Sequence, residues 1–273
     1  HKTIADIRAM ISDTKPWVRL GVSPAGVAGK DDTSAEKWGA EPVNVKANDW
    51  QYGEIYSDPL GLMYQGTIDF VSPQIYWAAD HATAPYEPLA RWWSATASTY
   101  DTHVYPSVTL ERMDKGGTLS AHRRELLNQI DANRRHCTHG EGGTIIYSAK
   151  FLPRVSGVLW RGPWSRPVLM PRLRHGGAAA QTDATASVSG LRLESGRLHW
   201  TAAPDVRRCA VYAVPRGVPH SEIFPEGGDG IDAAYLLGVA YGGSIQVPDG
   251  LDYRYAVCAL DDNADEGAPV WID

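Results

Sequence analysis

The chain has 273 residues, which at roughly 100–200 residues per domain suggests two domains. Hydrophobic residues make up 43% and charged residues 21%, so wholesale disorder is excluded. Lys and Arg number 26 against 32 Asp and Glu, a net charge of −6, which argues against nucleic acid as the main partner, and no run approaches the roughly 18 apolar residues of a membrane span.

Ile4, Ile7, Met10 and Ile11 fall at helical spacing, and Lys15-Pro16 ends the pattern. The apolar run Val18–Val22 reads as a buried strand that enters a loop at Ser23-Pro24. Residues 25–47 are polar, Gly-rich and without periodicity, hence a long loop. Tyr52, Ile55, Tyr56, Leu60 and Met63 suggest a helix broken near Pro59 and Gly61. Ile68–Trp77 is a second strand, and Leu89, Trp92, Trp93, Ala97 and Tyr100 mark the next helix. His103–Leu110 is a third strand, Ser120 is a candidate cap for a helix carrying Leu126, Leu127 and Ile130, and Gly143–Lys150 is a fourth strand.

Strands alternating with helices at intervals of about 35–50 residues predict βαβ units and a parallel sheet. No Gly-x-Gly-x-x-Gly follows any strand, so a dinucleotide fold has no support. Polar and aromatic residues gather where each strand ends: Ser23; then Gln74, Tyr76 and Trp77; then Tyr105 and Ser107; then Ser148 and Lys150. A (β/α)8 barrel puts its chemistry at that end of its strands.

Three blocks carry a resemblance: Lys15-Pro-Trp-Val-Arg-Leu-Gly-Val-Ser-Pro-Ala-Gly26, Ile68-Asp-Phe-Val-Ser-Pro-Gln-Ile-Tyr-Trp77 and Ile145-Ile-Tyr-Ser-Ala-Lys150. In type, order and spacing they resemble the glycosyl hydrolase-like 10 family of bacterial, envelope-associated (β/α)8 barrels. The resemblance covers roughly residues 1–172 and implies that these blocks are the fifth, sixth and eighth strands, with residues 102–110 as the seventh. It implies an α/β fold class in which this chain holds the C-terminal half of a TIM barrel, four βα units, with the other half upstream of His1. A full barrel takes about 250 residues. The implied activity is hydrolysis of glycosidic bonds in a bacterial polysaccharide, with cell-wall glycan strands a candidate substrate. The alternative is a non-catalytic glycan-binding or scaffold protein of the cell envelope.

Glycoside hydrolysis uses two carboxyl groups flanking the scissile bond, one to protonate the leaving oxygen and one as nucleophile or base. If one comes from upstream, this chain supplies the other, and the isolated chain is expected to show little or no turnover. Glu111, just past the third strand, is the candidate catalytic acid. Asp80 follows the second strand, and Asp69 lies toward its entry end, where a structural role is favoured. Substrate-binding candidates are Ser23, Gln74, Tyr76, Trp77, Tyr105 and Lys150. Gln and Tyr can hydrogen-bond sugar hydroxyls, and an indole face can stack on a pyranose. The other reading puts Tyr76 and Trp77 in the barrel interior and Lys150 in a salt bridge to a neighbouring strand. His136-Cys137-Thr138-His139 with Glu141 resembles a metal cluster only superficially, because no second ligand pair follows, and neither metal nor cofactor is expected.

The small-residue stretch 173–184 is a linker. Beyond it, residues 185–273 break into short runs, Arg197–Thr201, Cys209–Val214, Tyr235–Val239, Ser244–Val247, Tyr253–Leu260 and Pro269–Ile272, as in an all-β sandwich. Leu198-His-Trp200, Cys209–Val214 and Asp252–Asp261 resemble a fibronectin type III module. Its core would hold Trp200, Tyr255, Val257 and Ala259, with Cys209 facing in and Cys258 facing out, a phase that disfavours a disulfide. A periplasmic or extracellular location is expected, with a lipid anchor on missing upstream sequence and a homo-oligomer covering open sheet edges as further expectations.

Overall fold

The computed structural model describes residues 1–31, 33–111, 117–138, 142–171, 187–224, 230–248 and 252–272. The chain divides into two compact units, of which the first runs to Ser165 and the second takes Arg166 to Pro171 and the described residues from 187 onward. The linker stretch 173–184 lies outside the described residues, as do His139 and Glu141.

The first unit is mixed α/β. It runs α1 (Lys2–Thr14), β1 (Gly21–Val22), α2 (Ala35–Trp38), α3 (Trp50–Ile55), α4 (Pro59–Tyr64), β2 (Phe70–Val71), α5 (Tyr86–Thr99), β3 (His103–Val104), β4 (Ser107–Thr109), α6 (Leu119–His136), β5 (Ile145–Tyr147), a 3₁₀ turn (Ala149–Arg154) and α7 (Ser156–Trp160). All strand pairs are parallel, and neighbours follow chain order: β1 on β2, β2 on β3, and β4 on β5. Bridges from Ala25 to Gln74 and from Gln74 to Ser107 carry the register past the regular ladders.

The strands are shorter than the apolar runs that encode them, and proline explains why. Gln74 N–H donates to Pro24 C=O, Ser107 N–H to Pro73 C=O and Ile145 N–H to Pro106 C=O. Pro24, Pro73 and Pro106 therefore stand in one row across the sheet, each accepting a bond but having no N–H to give. The regular ladder breaks at that row and resumes as bridges beyond it.

Side chains alternate across the strands. Val71, Ile75, Val104, Val108 and Leu110 are buried in one core with Leu60 and Met63 of α4, Leu89, Trp93 and Ala97 of α5, and Leu126 and Ile130 of α6. The helices thus cover this face. In α5 the buried residues recur every three or four positions, and Leu89, Trp93 and Ala97 of the predicted stripe are among them.

Two local expectations are corrected. Residues 52–63 hold two helices rather than one broken helix: α3 ends at Tyr56 in the left-handed region, and Asp58 then caps α4, with Pro59 at a first-turn position that needs no N–H. The cap of α6 is Thr118, not Ser120; Thr118 is extended and its hydroxyl oxygen accepts the Ala121 N–H at 3.2 Å.

The second unit is all antiparallel: β6 (Val188–Glu194), β7 (Arg197–Ala202), β8 (Arg208–Pro215), β9 (Leu236–Ala240), β10 (Ser244–Gln246), β11 (Tyr253–Leu260) and β12 (Val270–Ile272). They form a three-stranded sheet, β10-β7-β6, and a four-stranded sheet, β12-β11-β8-β9. One core holds Leu198, Trp200, Cys209, Val211, Tyr255 and Val257. Cys258 lies in a separate core on the other face of the four-stranded sheet, with Ala210, Tyr212, Ile223, Ile231 and Leu236. Cys209 and Cys258 thus face opposite ways as expected, but the outer face is not bare. Val218, Ile223, Phe224 and Ile231, from between β8 and β9, pack over it in a second apolar layer. All three cysteines are free thiols.

Candidate functional site

The sheet face opposite the helices carries most of the strand-end residues singled out in the sequence. Register places Gly21, Phe70 and His103 side by side, and alternation puts Ser23, Ser72, Gln74, Tyr105, Ser107, Ile145 and Tyr147 on that same face. Its entry end is aromatic. The Phe70 ring lies over Gly21, where a Cβ would meet it at 2.3 Å, and packs against Tyr105 at 5.5 Å between centroids. His103 Nδ1 and the Tyr105 hydroxyl are 2.9 Å apart. Tyr105 therefore sits in the middle of the face, one layer deeper than the strand ends.

The C-terminal ends of the strands meet above it. Gln74 Nε2 donates to Ser23 C=O at 3.0 Å and reaches the Ser23 Oγ at 3.4 Å, while Ser23 Oγ donates to Ser72 C=O at 2.8 Å. The Gln74 Oε1 is not consumed by these bonds. Ser72 Oγ is buried and has no hydrogen-bond partner among the described residues. Tyr76 stacks on Tyr147, with ring centroids 6.0 Å apart and planes 22° from parallel. Tyr147 is 47% exposed. Together they form a flat aromatic shelf beside the Gln74–Ser23 pair.

Trp77 turns away from this group. Its ring lies against Gly26, where a Cβ would stand 2.7 Å from it, and packs partly buried on the helix-side core. Gln129 Nε2 donates to the Trp77 C=O at 3.1 Å and Glu125 accepts the Ala79 N–H at 2.8 Å, so α6 fixes the loop after β2. Lys150 is exposed in the 3₁₀ turn beyond β5, its ammonium 5.1 Å above the Phe151 ring. Glu111 is exposed just past β4, its amide donating to Thr109 Oγ1 at 3.2 Å. Asp69 is clamped at the opposite, entry end by both guanidinium nitrogens of Arg8, at 2.6 and 2.7 Å.

The structure thus brings Ser23, Gln74 and Tyr76 together, with Tyr105 below them and Trp77 apart. Tyr147 is the member that sequence reasoning missed. Its signal was available: it stands two residues after Ile145, hence on the same strand face, within the stretch Ile145–Lys150. At the former metal candidate, Cys137 is buried 3.8 Å from the Ala90 C=O and His136 pairs with Glu87 at 2.6 Å. Among the described residues no three His, Cys, Asp or Glu side chains are grouped to hold a metal.

Two curated glycosyl hydrolases are similar to this chain over part of its length. Glycosyl hydrolase YngK of Bacillus subtilis is 28% identical over 181 residues, 63% of this chain and 34% of its own length. Glycosyl hydrolase DigH of Escherichia coli is 29% identical over 158 residues, 56% of this chain and 34% of its own length. The chain spans about one third of the length of these relatives. A solved M60 catalytic domain, from Clostridium perfringens ZmpC with the sialyl T antigen, superposes at a TM-score of 0.30 and 12% identity over 97% of this chain and 42% of that one, too slight a likeness to assign a fold. Residues 1–119, which carry β1 to β4 and every strand-end residue up to Glu111, match the model of the family Glycosyl hydrolase-like 10.

Proposed function

We propose that the first unit is the C-terminal half of a (β/α)8 glycoside hydrolase barrel acting on a bacterial polysaccharide, with cell-wall glycan as the candidate substrate. The observation that carries this reading is the strand-end row: Gln74 hydrogen-bonded to Ser23, beside the Tyr76–Tyr147 shelf. A sugar ring presents an apolar face and a rim of hydroxyls, and a shelf beside an amide and serine hydroxyls matches both. Gln74 and Ser23 orient the sugar, Tyr76 and Tyr147 carry its flat face, and Lys150, exposed in the turn after β5, meets a carboxylate or acetamido oxygen of the glycan. Glu111 is the carboxyl that this half contributes, the second coming from upstream βα units. The second unit is a fibronectin type III-like spacer or lid, and an envelope location goes with the substrate.

The test uses the 273-residue chain with purified glycan strands. Binding without turnover is expected, with affinity reduced in Tyr147→Ala and Gln74→Ala. Absence of binding overturns the saccharide reading, and robust turnover by this chain overturns the half-barrel reading. In a polypeptide that carries the upstream units, Glu111→Gln is expected to lower kcat by about 10²–10⁴-fold.

A further inference from the structure

A cleft lies between His1, ahead of α1, and the long connection between β1 and β2, and its lining includes none of the strand-end residues. It is a cavity of about 740 Å³ whose lining includes Lys30, Asn48, Trp50, Tyr52, Glu54 and Tyr56. That volume suits a ligand of several rings.

Its two innermost carboxylates are fasteners of the loop. Asp49 accepts the Gly29 amide at 3.0 Å, the Tyr52 amide at 3.2 Å and the Thr33 hydroxyl at 3.3 Å. Asp58 accepts the Trp38 indole N–H at 2.8 Å and the Gly61 amide at 3.1 Å. Carboxylates engaged this way fasten the loop that frames the cavity.

The rim is aromatic and turned to solvent: Trp50 is 47% exposed and Tyr56 is 88% exposed. Tyr56 ends α3 at φ +56°, a left-handed position where glycine or asparagine is the usual occupant. A bulky aromatic at such a position is disfavoured for folding, and nothing in the core repays it, since the ring projects outward. Both signs of charge line the cleft, Lys30 and Lys37 with His1 against Glu54, Asp49 and Asp58, with His1 Nε2 3.4 Å from Asp58, which selects for no ionic ligand.

We infer that this cleft is an accessory saccharide-binding site that holds an uncharged stretch of glycan by stacking on Trp50 and Tyr56. The inference rests on the glycan reading of the strand-end row and extends it to a second point of contact. Asn48 and Glu54 supply side-chain partners for ring hydroxyls.

The experiment is an amide NMR titration of the 273-residue chain with the β-1,4-linked tetramer of N-acetylglucosamine. Shifts in the amides of residues 48–56 and, as a separate set, of Gln74 and Tyr147 are expected. Trp50→Ala should weaken the first set roughly tenfold and leave the second unchanged. Tyr56→Asn should weaken the first set while raising the thermal midpoint, a pairing that a merely structural tyrosine would not give. Shifts at the strand ends alone overturn this inference and leave the strand-end reading standing. Shifts in the cleft alone do the reverse. No shifts at either place overturn both, and an unaltered first set in Trp50→Ala removes the stacking role.

Discussion

Arg8 on α1 grips Asp69 with both arms of its guanidinium, while the Leu20 amide takes one of the same oxygens at 2.7 Å. The carboxylate is fully enclosed and the guanidinium side chain 20% exposed, so one fork ties a helix to two adjacent strands. This buried pair answers what Asp69 does: it sits at the entry end of β2 and holds the sheet. Arg8→Met leaves the enclosed charge with a single backbone donor and is expected to destabilise the first unit by about 3 kcal/mol. Urea unfolding of the variant checks it, and a loss under half a kcal/mol would show the pair to be dispensable. The double variant Arg8→Met, Asp69→Leu should recover part of the loss, because it removes both charges together.

Gly21 is required by its neighbour. A methyl group there would stand 2.3 Å from the Phe70 ring, which cannot retreat without losing its place against Tyr105. Gly21→Ala is expected to cost about 1–3 kcal/mol by overpacking. Gly21→Ala combined with Phe70→Leu should be milder, and equal costs for the two variants would refute the steric account.

The three thiols should be chemically silent in the native protein. Burial pushes Cys137 up to about 12 and raises Cys209 and Cys258 as well, so the reactive thiolate is scarce at neutral pH. Mass spectrometry after iodoacetamide at about pH 8 should find none of them modified when folded and all three modified in urea. Rapid native labelling of Cys137 would mean that α6 opens at its C-terminal end.

Glu87 provides a pH signature. The hydrogen bond from His136 holds its carboxyl below the usual carboxylate value, helped by Arg135 at 3.3 Å and opposed by partial burial. A depressed acid adds stability above its unfolded value and loses it as pH falls through its folded value. Glu87→Gln should therefore cost a few tenths of a kcal/mol near pH 6, as exposed pairs do, and nothing near pH 2. A cost that persisted in acid would point to packing as its source.

Much of this was legible in the residues, and the failures have causes. The parallel order of the first unit follows from apolar runs separated by helical stripes at Leu89–Tyr100 and Leu126–Ile130. Ladder length was not legible, because it depends on Pro24, Pro73 and Pro106 falling into one row, which only the register decides. Of the strand-end residues, Gln74 lies in hydrogen-bond contact with Ser23, whereas Trp77 and Tyr76 look alike in sequence and part company in the structure. Their difference is a pleat: the two side chains leave the backbone on opposite sides, and Gly26 makes room for the indole. Strand β6 escaped detection because six of its seven residues are not buried, which leaves little alternation to read. The cleft at Trp50 escaped because its parts, two caps and a left-handed tyrosine, lie in a segment without period.

The second apolar layer on β8 and β11 has one more consequence. With cores on both faces, the last six residues of β11 are all buried, and the usual in–out rhythm of an antiparallel strand is replaced by a continuous apolar run. Such a strand is screened from water on both sides. Its amides, and those of β8 paired with them, should be the slowest clock in the second unit, exchanging with deuterium only when the whole unit opens. Val218, Ile223, Phe224 and Ile231, between β8 and β9, act as a lagging jacket over that sheet. Shortening the connection that carries them would speed exchange along β11 before it altered any contact between the two sheets.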